Sequence, residues 1–499
     1  MHPTFKGISG KNIMRPRFNV EGVSISPDHF IGGQRVTSDK TFQTRCPFNW
    51  DHLLGQISRG DAQTAKLAVD AAEAAFPAWA SLTAKERGAH LHKLADLIDA
   101  NKDDIAIAEC MDMGMLLESL KLRLVPRGAL NFRNYADIAI EHEERVWSSK
   151  GTLNRVIRMP AGPAVIITPW NAPFMLSTWK CAPALAAGNT VILKPAEWSP
   201  LSASLLADLI EQSGMPPGVF NIVQGFGSDL GSALVSDPRV KRISFTGSVP
   251  TARIIGKAAA DNIVPFTAEL GGKSPIVVFA DCDIDAAAKK AAGQYDDSGQ
   301  VCMAGTRLLV EESIRDEFLE KFHGYTDQQV MGDSRNTDTT MAAMIHPVHV
   351  ERVMGFIERA RKNGDEIVRG GKRFKDGELW VEPTLIFPKD NNSEVVQSEI
   401  FGPVLTFQTF KDEAEAIELA NSTVFGLSAM IYTGSEERAN RVGRAVRGGT
   451  VWVNTFLVRD LTAPFGGIGQ SGIGREGGDY ALEFHSDLKT LQILDGSCR

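Results

Sequence analysis

The chain has 499 residues, 43% of them hydrophobic and 23% charged, with six cysteines and a net charge of −8. That length holds about two to four domains of ordinary size, and the composition suits a globular protein with a large core, which excludes a disordered chain or a small disulfide-stapled module. A thinly spread negative charge with no run of like sign argues against nucleic acid as a partner.

The opening MHPTFKGISGKNIMRPRF has no apolar h-region, and no long apolar run follows, so neither a signal peptide nor a membrane span is expected. The cytoplasm is the default. Cys46, Cys110, Cys181, Cys282, Cys302 and Cys498 show no CxxC spacing, which argues against a metal site and a disulfide framework.

Between residues 61 and 110 the pattern is helical: Ala65, Val69, Ala72 and Phe76 share a face, and Thr83 with Glu86 forms a capping box ahead of Leu91, Leu94 and Ile98. The stretch VWSSKGTLNRVIRMP (146–160) and the closing HSDLKTLQILDGSCR (485–499) alternate enough to be strands outside the main sheets. Either they pack as a hairpin on their own domain or they form an arm shared between subunits. From about residue 164 the runs AVIIT, TVILK, VFNIV and RISFT alternate with helix-length segments starting near Ser177, Ser199, Ser228 and Thr251. This predicts a doubly wound parallel sheet. A second series runs from SPIVVF (274–279) through IRDEFLEKF, LSAMIY and EERANRVGRAV to TVWVN, predicting a second α/β domain hinged at Gly271 and Gly272.

An open α/β sheet binds ligands at the carboxyl ends of its strands. There AVIITPWN ends in Pro169, Trp170 and Asn171, and TVILKPAE ends in Lys194 and Glu197, which can hold a ribose or make a surface salt bridge. Gly225, Gly227 and Gly231 in QGFGSDLG, then Thr246, Gly247 and Ser248 in RISFTGSVP, are two strand-to-helix turns whose N–H groups suit a phosphate. Glu269 in TAELGGK stands among apolar residues, where desolvation raises a carboxyl pKa and suits a general base; the neighbouring glycine N–H groups could equally satisfy it. Cys302 in SGQVCMAGTR has Gly299 and Gly305 to let a ligand approach, although a single cysteine is more often a buried hydrophobe.

Together, a nicotinamide site, a carboxylate, an amide and a thiol are the parts needed to oxidise an aldehyde. The thiolate adds to the carbonyl, giving a thiohemiacetal ready to lose hydride. An amide N–H and the cysteine's own N–H hold the oxyanion, and the carboxylate activates water to hydrolyse the thioester.

PWN, KPAE, FTGS, ELGGK, GQVCMAGTR, EIFGPV and PFGGIGQSGIGREGG, in this order over nearly the whole chain, resemble the aldehyde dehydrogenase superfamily. The resemblance implies a Rossmann-like cofactor domain (1–145 and 161–272), a catalytic domain (273–484), and a β-hairpin oligomerisation arm (146–160 and 485–499) of a homodimer or homotetramer. It implies Cys302 as nucleophile, Glu269 as general base and Asn171 in the oxyanion hole. The implied cofactor is NAD, with Lys194 and Glu197 on the adenosine ribose, Ser248 on the pyrophosphate, and Glu399 with Phe401 on the nicotinamide ribose and ring. Thr168, Pro169, Trp170, Gly227, Gly231, Phe245, Thr246, Gly247 and Leu270 complete that implied site. A carboxylate such as Glu197 on the 2′-hydroxyl repels a 2′-phosphate, so NAD is expected over NADP.

The pairing of VPRGALNFR with VRDL is similar to the branch that oxidises muconic semialdehydes, whose substrates carry a carboxylate remote from the aldehyde. Arg127 and Arg459 would grip that carboxylate bidentately, or each would make a structural ion pair. Met175, Trp179 and Phe465 are expected to line the pocket, which suits an aromatic aldehyde as well; a betaine-type aminoaldehyde fits less well beside Arg459. Asp296 and Asp297, just before the nucleophile, would repel an anion if either faced the pocket. A binding protein without turnover has no need of Cys302, Glu269 and Asn171 together, and an esterase side reaction would need no cofactor.

Overall fold

Strands Ala164–Ile167, Val191–Lys194, Phe220–Ile222, Arg242–Gly247 and Phe266–Leu270 pair in parallel to form the middle of an eight-stranded sheet. Their side chains divide between two apolar cores: Ile166 and Leu193 face one, Val165, Ile192 and Ile243 the other. Runs without polar alternation follow from helices covering both faces. The computed structural model describes residues 14–375 and 378–495, so Cys498 and most of the opening stretch lie outside the described residues.

Strand Ala164–Ile167 lies between Val191–Lys194 on one side and Arg242–Gly247 on the other, so the winding reverses there. A crevice opens at the carboxyl ends of strands at such a switch point. The helices that follow begin at Pro173, Leu201, Ser232 and Val249, a few residues from their expected starts. Proline in the first turn, Pro173 and Pro250, sets φ for helix and moves two of these starts forward. Ser228 falls inside a π-helical turn, Gly227–Gly231, ahead of the third.

The second sheet has seven strands, parallel except for the edge strand Glu366–Arg369. It begins with Pro275–Val278, directly after the two glycines of ELGGK. The expected boundary at 484 falls too late. Gly472–Ile473 pairs antiparallel with Phe266–Leu270, and helix Gly478–Phe484 packs on helices Val125–Glu141 and Pro173–Ala186. The outer edge of Phe266–Leu270 needs a hydrogen-bonding partner, and the returning chain supplies it.

Strands Arg145–Ser149, Thr152–Pro160 and Ser486–Leu494 form one separate antiparallel sheet, joining the two alternating segments. The Thr83–Glu86 capping box opens helix Ala84–Ala100, with Leu91, Leu94 and Ile98 buried. Among the described residues no helix is long and apolar enough to cross a membrane.

Candidate active site

A cavity of about 410 Å³ is lined by Asn171, Glu269 and Cys302, together with Arg127, Trp179 and Arg459. Asn171 follows strand Ala164–Ile167, and its Nδ2 donates to the Gln300 carbonyl at 2.9 Å, two residues before the cysteine. One amide N–H therefore fixes Asn171 to the Cys302 loop, and the second remains for a ligand. Gly299 has φ of +65° and lies so close to Gly402 that a Cβ would sit 2.1 Å from its carbonyl oxygen. That contact packs the Cys302 loop against the EIFGPV segment. Gly305 does not make room for a ligand: a Cβ there would strike Ile276 of the neighbouring strand at 2.3 Å.

Burial pushes the Cys302 thiol up to about 12, with the Glu399 and Glu269 carboxyls adding to it and Arg459 opposing. The resting group is a thiol, so attack requires that a proton be removed. Burial, then Glu476, raises Glu269 well above the usual carboxylate range, against Lys180, Arg475 and Arg459. Among the described residues neither Glu269 oxygen has a hydrogen-bond partner. The glycine N–H groups do not satisfy it, since Gly272 donates to Glu399 Oε1 at 3.2 Å.

Behind Glu269 lies a buried polar chain absent from the sequence reading. Glu476 accepts from Trp179 Nε1 at 2.6 Å and pairs with the buried Lys180, whose Nζ reaches Ser244 Oγ at 3.1 Å. A lone lysine in the apolar helix LSTWKCAPALA was the available signal; its partner, 296 residues away, was not.

The cofactor-side residues gather along the crevice. Lys194 is buried, donates to the Pro195 carbonyl at 3.1 Å and stands 3.5 Å from the partly exposed Glu197. Gly231 passes the Lys194 side chain closely enough that a Cβ would lie 3.7 Å from its Cδ. Ser248 caps helix Val249–Asp261, accepting from Thr251 N. Thr246 lines the cavity with its buried Oγ1 unpartnered, and Leu270 lines it too. Phe245 lies in the core with its ring against Gly247 of the turn, where a Cβ would fall 2.5 Å from its Cζ. Thr168 is buried with its hydroxyl 3.0 Å from Ser177 Oγ.

Burial pushes Glu399 up to about 7. It leans on Gly271, where a Cβ would fall 1.9 Å from its carboxylate, so a larger residue there would displace Glu399. Phe401 holds the left-handed φ of 60°, its ring 5.3 Å from Trp170 and its carbonyl accepting from His349 Nε2 at 2.7 Å. A bulky residue in that region is strained, and such strain gathers at ligand sites.

In the same cavity the Arg127 and Arg459 guanidiniums lie 5.5 and 5.4 Å from the Trp179 ring, and Arg459 also covers Phe465 at 3.9 Å. Arg127 donates to Asn131 Oδ1 at 3.1 Å. Among the described residues neither arginine has a carboxylate within ion-pair distance, so the structural ion pair is not what they make. Burial, and the charge of Arg459, hold Arg127 down to about 10. Met175 lines the same cavity. Asp297 faces its mouth together with Arg123, whereas Asp296 turns away to accept from Gln329 Nε2 at 3.0 Å.

An unpartnered Thr246 hydroxyl, a helix N-terminus at Ser248 and the Lys194–Glu197 pair fit a dinucleotide laid along the crevice. Residues 35–491 match the aldehyde dehydrogenase family. A 2-hydroxymuconic semialdehyde dehydrogenase of Pseudomonas sp. (strain CF600) is 39% identical over 480 residues, covering 93% of this chain and 99% of that one. The 5-carboxymethyl-2-hydroxymuconate semialdehyde dehydrogenase of Escherichia coli is 38% identical, covering 91% and 98%. A mutant of the P. syringae indole-3-acetaldehyde dehydrogenase, solved in complex with NAD+ and IAA, superposes with a TM-score of 0.92 at 35% identity, covering 95% and 98%.

Proposed function

The chain belongs to the aldehyde dehydrogenase family, is an NAD-dependent aldehyde oxidoreductase, and, we propose, acts on a semialdehyde that carries a carboxylate remote from its aldehyde. The observation that carries the substrate reading is the pair of guanidiniums on Trp179, in the cavity that Cys302 also lines, neither with a carboxylate within ion-pair distance among the described residues. Half-buried cations gain from a partner, and an anionic ligand end is one that the cavity admits. Relatives named for muconic semialdehydes support the same class.

In this reading the Cys302 sulfur bonds to the aldehyde carbon, and its proton passes to a carboxylate at the site. Asn171 Nδ2–H and the Cys302 backbone N–H hold the oxyanion that forms. Lys194, Glu197, Ser248, Glu399 and Phe401 would hold NAD, which would supply the hydride acceptor. Glu269, desolvated and free of hydrogen bonds, then takes a proton from water as it attacks the thioester, releasing the acid and the thiol. Met175, Trp179 and Phe465 exclude bulk water. Carboxylate-bearing aldehydes are expected to show the highest kcat/KM in a panel with and without a distal carboxylate, followed by NADH absorbance. A neutral aldehyde turned over as well would refute the clamp.

The apolar wall of Met175, Trp179 and Phe465 favours an aromatic aldehyde as the second reading, and the same panel separates the two. The arm sheet exposes Val146, Trp147, Leu488 and Leu491, which supports a homo-oligomer joined there; light scattering that gives a monomer mass would refute it.

A further inference from the structure

Helix Lys102–Met113 carries Glu109 and Asp112 in its buried C-terminal half. Both positions are unfavourable for acids, because a helix C-terminus is the negative end of its dipole and neither side chain reaches water. Their partners explain them. Glu109 Oε2 accepts from Phe174 N at 3.0 Å, in the first turn of helix Pro173–Ala186. Asp112 Oδ2 accepts from Leu201 N at 2.7 Å, the first residue of helix Leu201–Ser213, while its other oxygen takes the Thr44 hydroxyl.

The N-cap positions of those two helices are Ala172 and Pro200, and neither helix has a side-chain cap of its own. Four N–H groups at each helix start lack intrahelical partners, and ordinarily a Ser, Thr, Asp or Asn at the cap supplies one. Here one distant helix supplies both. Asn171 stands immediately before the first capped start, and Glu197 three residues before the second cap residue. Among the described residues neither acid has an ion-pair partner, so each is held by what it accepts; burial pushes Glu109 up to about 8, opposed by the Ser202 hydroxyl and Phe174 N, and Asp112 up to about 7, opposed by Thr44 and Leu201 N.

We propose that Glu109 and Asp112 are positioning residues acting in trans: Glu109 fixes where Asn171 and the oxyanion side of the site begin, and Asp112 fixes the Lys194–Glu197 side that holds the adenosine ribose. The assignment rests on the roles given above to Asn171 and Glu197. It predicts a split that a generally structural role would not produce, since a misplacement of about 1 Å in a reacting group can cost about a hundredfold in rate.

The test is a set of four variants, with kcat measured at saturating NAD and the NAD Kd measured by calorimetry. Glu109→Leu lowers kcat about tenfold or more and leaves the Kd within about twofold. Asp112→Leu raises the Kd about tenfold and leaves kcat within about twofold. Glu109→Gln and Asp112→Asn keep an acceptor oxygen and stay within about threefold of wild type. If a leucine variant does not fold, Glu109→Asp and Asp112→Ser, whose oxygens stop short of the capped N–H, show the same split. Equal losses in both parameters for both positions, or amide variants as impaired as leucine, overturn the proposal. Asn171→Ala and Glu197→Ala are run beside them: wild-type values there would sink the roles it rests on, whereas losses there without the split refute only the capping assignment.

Discussion

Removing Arg459 separates substrate recognition from chemistry. A hydrogen bond from a buried guanidinium to a carboxylate contributes about 1.5–3 kcal/mol, which corresponds to about ten- to 150-fold in kcat/KM for a carboxylate-bearing semialdehyde. Arg459 also lowers the pKa of Cys302 and of Glu269, so its loss slows every aldehyde to some degree. That shared effect cancels in the ratio of a muconic-type semialdehyde to benzaldehyde. Folding is little affected: each guanidinium lies within about 5.5 Å of one ring, so the charges are no more than about 11 Å apart. At an effective dielectric of about 20 they repel by about 1.5 kcal/mol, less where water screens Arg127, and relief of that repulsion offsets a lost cation–π contact of similar size. The expected result is a fall in the kcat/KM ratio of tenfold or more with Tm within a few degrees of wild type. Arg459→Lys, which keeps the charge and loses the fork, falls between. An equal loss for both aldehydes, measured by NADH absorbance, would falsify the carboxylate clamp.

Asn171→Ala removes one oxyanion donor and is expected to lower kcat by about 10²–10³ without changing the NAD Kd; a loss below tenfold would assign the oxyanion to other donors. Glu269→Gln blocks thioester hydrolysis, so stopped-flow traces show one equivalent of NADH per site followed by turnover slowed by about 10²–10⁴; the absence of a burst would place Glu269 before hydride transfer. Because the folded pKa of Glu269 is raised, the folded protein retains a proton that the unfolded chain has lost above the ordinary carboxylate range, and stability falls as pH rises through that window. Glu269→Gln should therefore have a higher Tm than wild type at pH 8, with the gain shrinking towards pH 4.5; a constant difference refutes the desolvation argument. Glu197→Ala should narrow the preference for NAD over NADP at least tenfold in kcat/KM, and an unchanged ratio would move the discrimination elsewhere.

What could be read from residues alone was local. The fully apolar runs at Val165, Ile192 and Ile243 announce strands covered on both faces, and the box at Thr83 and Glu86 announces a helix start. Convergence was not local. Cys302 and Asn171 come from two separate loops and Glu269 from a strand, and it was a resemblance spanning the chain that joined them. The two arginines could not be distinguished from ion-paired ones until their surroundings were known. Lys180 with Glu476, and Glu109 with Asp112, were missed because a buried charge looks like a surface charge until its partner, far away in sequence, is placed. Two of the displaced helix starts, Pro173 and Leu201, take their cap from another helix, whereas the signal normally sits at the cap position itself.

The acids before Cys302 do not count against the proposed anionic substrate. Asp296 points away to Gln329, and Asp297, which lines the cavity, has its pKa raised by burial with the Arg123 charge opposing it. Arg459 lies close enough to Cys302 and Glu269 to oppose the burial that raises both, and with Arg127 it stands on Trp179, whose Nε1 donates to Glu476. In the proposed reading, a substrate with an anion remote from its aldehyde is drawn in by those two guanidiniums before any contact forms, because a pose that turns the anion away leaves both without a carboxylate within ion-pair distance among the described residues. A neutral aldehyde gains nothing from those charges. Added salt should therefore slow a carboxylate-bearing semialdehyde and leave benzaldehyde unchanged at subsaturating concentration, and an equal salt effect on both would show that the two arginines play no part in entry.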